Sequence, residues 1–137
     1  MIPHWGLNKK ISQYQMKTII YICGFYSFGF ALFHIGFWKL FQWKKQVKNL
    51  SFANKGILQT LNVQLIWFFV LVGIICFAFP DELMNTNLGK VFLGGNAIFW
   101  LIRTINQIVF FRVNHYKLHI LTVIFLLGVV LFTIPIV

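Results

Sequence analysis

Acidic residues are almost absent from this sequence. Among 137 residues only Asp81 and Glu82 carry carboxylates, against twelve Lys and Arg. The two acids sit side by side between apolar runs, so no two-carboxylate constellation is available, nor any Ser-His-acid or Cys-His one; no catalytic residue is assigned and enzymatic function is ranked last. Cysteine is scarce as well. Cys23 and Cys76 form neither a CxxC motif nor a Cys/His zinc spacing, which excludes a zinc site and a disulfide scaffold. Charged residues amount to 10% of the chain, where a soluble domain carries about a quarter. An ordinary soluble surface is therefore excluded, and neither an internal repeat nor a low-complexity tract is present.

What fills the chain instead is apolar. It is 59% hydrophobic and 19% aromatic, with a mean hydropathy of +0.79. A hydrocarbon core about 30 Å thick takes about 20 helical residues to cross, and four such runs can be drawn: residues 18–38, 57–79, 91–111 and 118–137. Pro80 stops the second, and Pro135 shortens or bends the end of the fourth. None alternates with period two, so helices are expected rather than strands. Short connections make neighbouring helices antiparallel. The expected fold class is an all-α integral membrane protein, a single antiparallel four-transmembrane-helix bundle. Residues 1–17 mix Trp5, Leu7, Ile11 and Tyr14 with lysines, which suits a short interfacial helix or a polar tail. Their approach to the first run resembles a signal-peptide n-region, but the run continues for a membrane thickness with no small-residue cleavage site, so it reads as a retained helix. Ile22 before Cys23 does not fit a lipobox.

A net charge of +10 suggests nucleic acid in a soluble protein. Here the lysines mark loops instead, and no nucleic-acid partner is expected. Lys39, Lys44, Lys45, Lys48 and Lys55 in the first loop would meet anionic lipid headgroups. The positive-inside rule then places loops 39–56 and 112–117 in the cytoplasm and both termini outside. The sequon Asn49-Leu50-Ser51 falls in that cytoplasmic loop and is read as accidental.

The third run carries the one charge inside a span. Arg103 lies eight residues in from Phe111, about 12 Å at 1.5 Å per residue. On its face lie Asn96, Phe99, Trp100, Asn106, Gln107 and Phe110, a polar-aromatic stripe expected to face protein rather than lipid. A mid-span arginine costs at least about 2.5–3.5 kcal/mol, and no carboxylate is placed to offset it. From the same side the second run offers Gln64 near the arginine's level and Asn62 shallower, and the first offers His34, about 6 Å deep at the same rise. These residues (Arg103, Gln107, Asn106, Gln64, Asn62, His34 and Trp100) are the candidate ligand-binding set, lining a polar cavity open toward loops one and three. The competing account is structural: Arg, Asn and Gln side chains glue helices through interhelical hydrogen bonds averaging about 0.6 kcal/mol. A haem would need two imidazoles at matched depth, and His34 and His119 differ; the His115/His119 spacing lacks a third metal ligand. Cys23 and Cys76 fall at similar depth, as small packing residues or as a pair of thiols that meet. Cys23, Ser27 and Ala31 form a small-residue row suited to close helix packing.

The segment FHIGFWKL, with Gly36 and Lys39, followed by a basic loop and three further runs, resembles the small four-helix bacterial membrane proteins grouped as DoxX-like. The run Phe99, Trp100, Arg103, Gln107 is similar to an FW-x-x-R-x-x-x-Q pattern in uncharacterised proteins of this size. The resemblance implies a four-helix bundle in a bacterial inner membrane and an association with membrane redox or quinone-linked systems. The expectation is a membrane-embedded binding or accessory protein for an anionic or polar-headed lipid-like ligand, such as a lipid, an isoprenoid phosphate or a quinone. The alternative is an anion-conducting channel or transporter subunit, for which the apolar outer half is a weakness. As cofactors only haem or quinone come into question, and as protein partners a second copy or a larger membrane complex.

Overall fold

Runs of apolar side chains leave the backbone no hydrogen-bond partner but itself, and in this chain they wind into helices. A computed structural model describes residues 4–36, 48–110 and 116–136, with side chains from residue 12 onward. Its helices are α1 (His4–Ile35), α2 (Phe52–Ala78), α3 (Pro80–Asn85), α4 (Asn87–Phe110) and α5 (Tyr116–Thr133), closed by a 3-10 turn at Ile134–Ile136. No strand occurs among the described residues. Four helices are long and apolar enough to cross a membrane: Ser12–Ile35, Phe52–Ala78, Asn87–Phe110 and Tyr116–Ile136. At most 33% of any of these spans is buried within the chain. So much exposed apolar surface suits lipid, not water. The fold is all-α, of the four-transmembrane-helix class.

The helix ends differ from the hydropathy limits for local reasons. No Gly or Pro interrupts the chain between Leu7 and Tyr21, so α1 runs unbroken from His4, and the residues read as an interfacial segment are, from His4, the first turns of that helix. At Ser51 the hydroxyl accepts from the Asn54 amide at 3.3 Å, an N-cap that starts α2 five residues before the apolar run. Pro80 ends α2 and opens α3 at its first turn, where a missing N–H costs nothing, with Asp81 and Glu82 beside it at the positive helix end. Thr86 joins α3 to α4. Its Oγ1 donates to the Glu82 carbonyl at 2.6 Å and accepts from the Gly89 amide at 2.9 Å. A Cβ on Gly89 would collide with the backbone of Glu82 and Leu83, so only glycine allows α3 to fold back so closely.

Pro135 turns the end of α5 into a 3-10 turn. Lacking an N–H, it cannot donate to the carbonyl four residues back, that of Leu131. That carbonyl accepts from the buried Cys23 thiol instead, at 3.1 Å. Cys23 and Cys76 are both free and fully buried.

Two compact units divide the chain: Met1–Cys23 with Cys76–Val137, and Gly24–Ile75. In the first, α4 and α5 run antiparallel, since Arg103 meets Phe125 while the Gly94 position faces Ile136. Trp100, Phe125, Leu93 and Phe132 fill its core, and Tyr21 stacks on Phe77 with ring centroids 5.6 Å apart. In the second, α1 and α2 are antiparallel, with Phe30 against Phe69 at 5.7 Å and Phe28 over Gly73.

Candidate functional site

The buried face of α4 follows helical spacing through Gly89, Leu93, Asn96, Ala97, Trp100, Thr104 and Gln107. Three of these seven are polar, which no lipid-facing surface tolerates. Phe92, Phe99, Arg103 and Asn106 are half-buried and line one border of this face. Phe110, grouped with the stripe by spacing, is 74% exposed and stands outside it. The face is centred nearer Trp100 and Thr104 than the sequence pattern suggests, because packing against α5 is set by the two stacked rings of Trp100 and Phe125, 5.8 Å apart and 22° from parallel.

Arg103 is held from two directions. Its Nη1 donates to Gln107 Oε1 at 3.2 Å, one turn along the same helix. Its Cζ lies 4.5 Å from the centroid of the Phe125 ring on α5, a cation–π contact. Sequence spacing gives Gln107 but passes over Phe125, which sits in a run apolar throughout. Depth supplies a signal, since Arg103 is seven residues from the end of α4 and Phe125 nine from the start of α5, about 10 and 13 Å.

A guanidinium only donates, so the oxygen of Gln107 must face it and the amide nitrogen must point away. That nitrogen is fully buried and has no hydrogen-bond partner among the described residues, in a side chain only 2% exposed. The neighbouring polar groups turn back on their own helix: Asn96 Nδ2 donates to the Phe92 carbonyl at 2.9 Å, and Thr104 Oγ1 to the Trp100 carbonyl at 2.8 Å. None of these bonds runs between helices. Both side-chain carboxylates of the chain lie elsewhere; Asp81 pairs with Lys17 at 3.7 Å, largely exposed. The cluster around Arg103 is thus rich in N–H donors and short of acceptors.

His34, Asn62 and Gln64 belong to the other unit. There His34 Nδ1 meets the Phe30 carbonyl at 2.9 Å, which fixes the proton on Nδ1 in the neutral ring and leaves the lone pair on Nε2. Asn62 Nδ2 donates to the His34 carbonyl at 3.1 Å, and its Oδ1 is buried with no hydrogen-bond partner among the described residues. Phe30, Phe33 and Phe69 surround the imidazole. Gln64 is on the exposed face of α2. The structure therefore brings together Arg103, Gln107 and Trp100 in one unit and His34 and Asn62 in the other, with Asn106 on the border beside Arg103.

Among the described side chains each unit offers one imidazole, His119 or His34, while His115 lies outside the described residues. No group of three His, Cys, Asp or Glu fit for a metal occurs among the described residues. Two clefts of the first unit lie away from Arg103. One of about 300 Å³ is lined by Gln13, Tyr14, Lys17, Asp81, Met84 and Asn85. The other, about 480 Å³ and apolar, is lined by Met16, Val129, Val130, Thr133 and Ile134. Of the headgroup lysines, Lys48 and Lys55 are exposed, while Lys39, Lys44 and Lys45 lie outside the described residues, as do residues 112–115 of the third loop. The chain matches no protein-family model, no curated protein and no solved structure.

Proposed function

We propose that this chain is a membrane-embedded binding or accessory protein in which Arg103, steadied by Gln107 and Phe125 and flanked by Asn106, receives the polar head of a lipid-like ligand. The observation that carries this reading is the donor excess at Arg103: Gln107 Oε1 is the one oxygen among the described residues bonded to the guanidinium, and the buried Gln107 Nε2 has none. Leaving such groups unmatched at this depth costs several kcal/mol by the usual order of magnitude, and a bound acceptor offsets that cost. The helix-glue account predicts hydrogen bonds between helices, whereas the bonds of Arg103, Thr104 and Asn96 run within α4.

Access favours a bilayer-soluble ligand over a free aqueous anion. Phe110, two turns from Arg103 along the same line of α4, is exposed as lipid-facing groups are, and Arg103 itself is half-buried. A molecule reaching the arginine laterally keeps its tail in the hydrocarbon while its head meets the charge. The same observation ranks the channel reading second. Quinone-linked association rests on the DoxX-like resemblance of the FHIGFWKL segment alone. The basic loops, Lys48 and Lys55 included, would dock on anionic headgroups of a bacterial inner membrane with loops one and three in the cytoplasm. The test is mass spectrometry of the molecules that co-purify after mild solubilisation. A discrete lipid or quinone kept by the wild type and lost by Arg103→Gln supports the proposal. Identical nonspecific lipid in both defeats it.

A further inference from the structure

We infer that the ligand at Arg103 is a monoanion that presents two oxygens on one centre, a carboxylate or a phosphodiester, on a bilayer-soluble tail. This rests on the binding role proposed above and narrows it to a charge and a head geometry. Charge balance is the first argument. Arg103 is the one formal charge on α4 beyond Lys90, and on α5 the basic groups Lys117 and His119 stand at its first turn, eight and six residues before Phe125. One monoanion neutralises one guanidinium. A phosphomonoester near its second ionisation would leave a net negative charge inside the hydrocarbon, and a neutral quinone would leave the positive one.

Geometry is the second. Gln107 occupies Nη1, which holds the guanidinium plane and leaves donors on Nη2 and Nε. Such a fork matches two oxygens on one carbon or phosphorus, in the bidentate arrangement Arg favours. Gln107 Nε2 has no acceptor among the described residues, so the orientation of that amide is set by its bond from Nη1 alone. Asn106, half-buried one turn further along the border, is placed to read the remainder of the head.

The test follows thermal unfolding of the full chain in a neutral detergent at pH 8 with four probes: oleate, dioctanoyl phosphatidylglycerol, dioctanoyl phosphatidic acid and decylubiquinone. At that pH the phosphomonoester is close to dianionic. The expected result is a rise in midpoint with oleate or phosphatidylglycerol, at least about tenfold weaker in apparent affinity for Arg103→Gln, as loss of a charge-assisted pair implies. Arg103→Lys, which keeps the charge and loses the fork, falls between. Whichever monoanion acts identifies the source as a fatty acid or a phosphodiester lipid. Stronger stabilisation by phosphatidic acid than by phosphatidylglycerol and oleate overturns the inference. So does an Arg103-dependent effect of decylubiquinone, which would leave the binding role intact. Monoanions that act equally on wild type and Arg103→Gln are bound by surface lysines, and both readings then fall. If Arg103→Gln does not fold, the ranking of probes on the wild type and the Arg103→Lys comparison decide.

Discussion

Trp100 sets the position of Arg103, because its indole fixes the Phe125 ring on which the guanidinium rests. Trp100→Ala should therefore cost about 3–5 kcal/mol of stability, as truncation of a buried large aromatic does, and should weaken ligand retention along with it. Unfolding in mixed detergent measures the first effect. Thr104→Val, by contrast, removes a hydroxyl bonded only to its own helix and should leave ligand retention unchanged. At this scale the sequence was partly legible. A charge in an apolar run identifies Arg103, and one turn of helix identifies Gln107. Phe125 was hidden because nothing distinguishes one phenylalanine from its apolar neighbours until the register of α4 against α5 is known. Phe110 was misplaced because a stripe drawn at helical spacing does not say where burial stops.

The elements depend on a few positions where the backbone is left wanting. Pro135 deprives the Leu131 carbonyl of its helical donor, and the Cys23 thiol supplies another. Cys23→Val should destabilise by about 1–3 kcal/mol, the cost of a buried acceptor without a partner. In a Pro135→Ala background the helix can recover its own bond, so the penalty should shrink; equal penalties in a double-mutant cycle would disprove the coupling. Gly89→Ala forces a Cβ into the backbone of Glu82 and Leu83 and should cost at least about 1–3 kcal/mol through overpacking, read from thermal midpoints. Helix existence was legible from the runs alone. Starts were not, because hydropathy sees the apolar core while caps set the ends: Ser51 and Thr86 lie outside the runs they begin. The sequence did carry α3 in its proline followed by two acids, a signal that a hydropathy reading passes over.

At the scale of the whole molecule, four apolar helices give the fold class, and composition made that plain. The division into two units was not legible, because it cuts through α1 and α2, at Cys23 and Cys76, where nothing in the hydropathy changes. Helical spacing places Arg103, Asn106, Gln107 and Trp100 on one face, whereas His34, Asn62 and Gln64 join them by depth alone, which cannot say which residues belong to one unit; the first four fall in one unit and the last three in the other. Topology is testable through α2, whose 27 residues extend about 40 Å. Single cysteines at Lys55 and Asp81, in a Cys23→Ser, Cys76→Ser background, should react with impermeant maleimide from opposite sides, with Lys55→Cys reached from the cytoplasm.

The central claim is that Arg103 is present for a ligand and not for the fold. The measurement that tests it most directly compares the stability of lipid-stripped wild type with that of Arg103→Met combined with Gln107→Leu. Met preserves much of the aliphatic stem over Phe125, and the pair removes the charge and the orphaned amide together. Replacing an unsatisfied buried ionic cluster by apolar groups is commonly neutral or stabilising by about 1–4 kcal/mol, so the variant should be at least as stable as the wild type when stripped and should gain nothing from added ligand. A stripped variant clearly less stable than the stripped wild type would contradict the account and make Arg103 a structural residue.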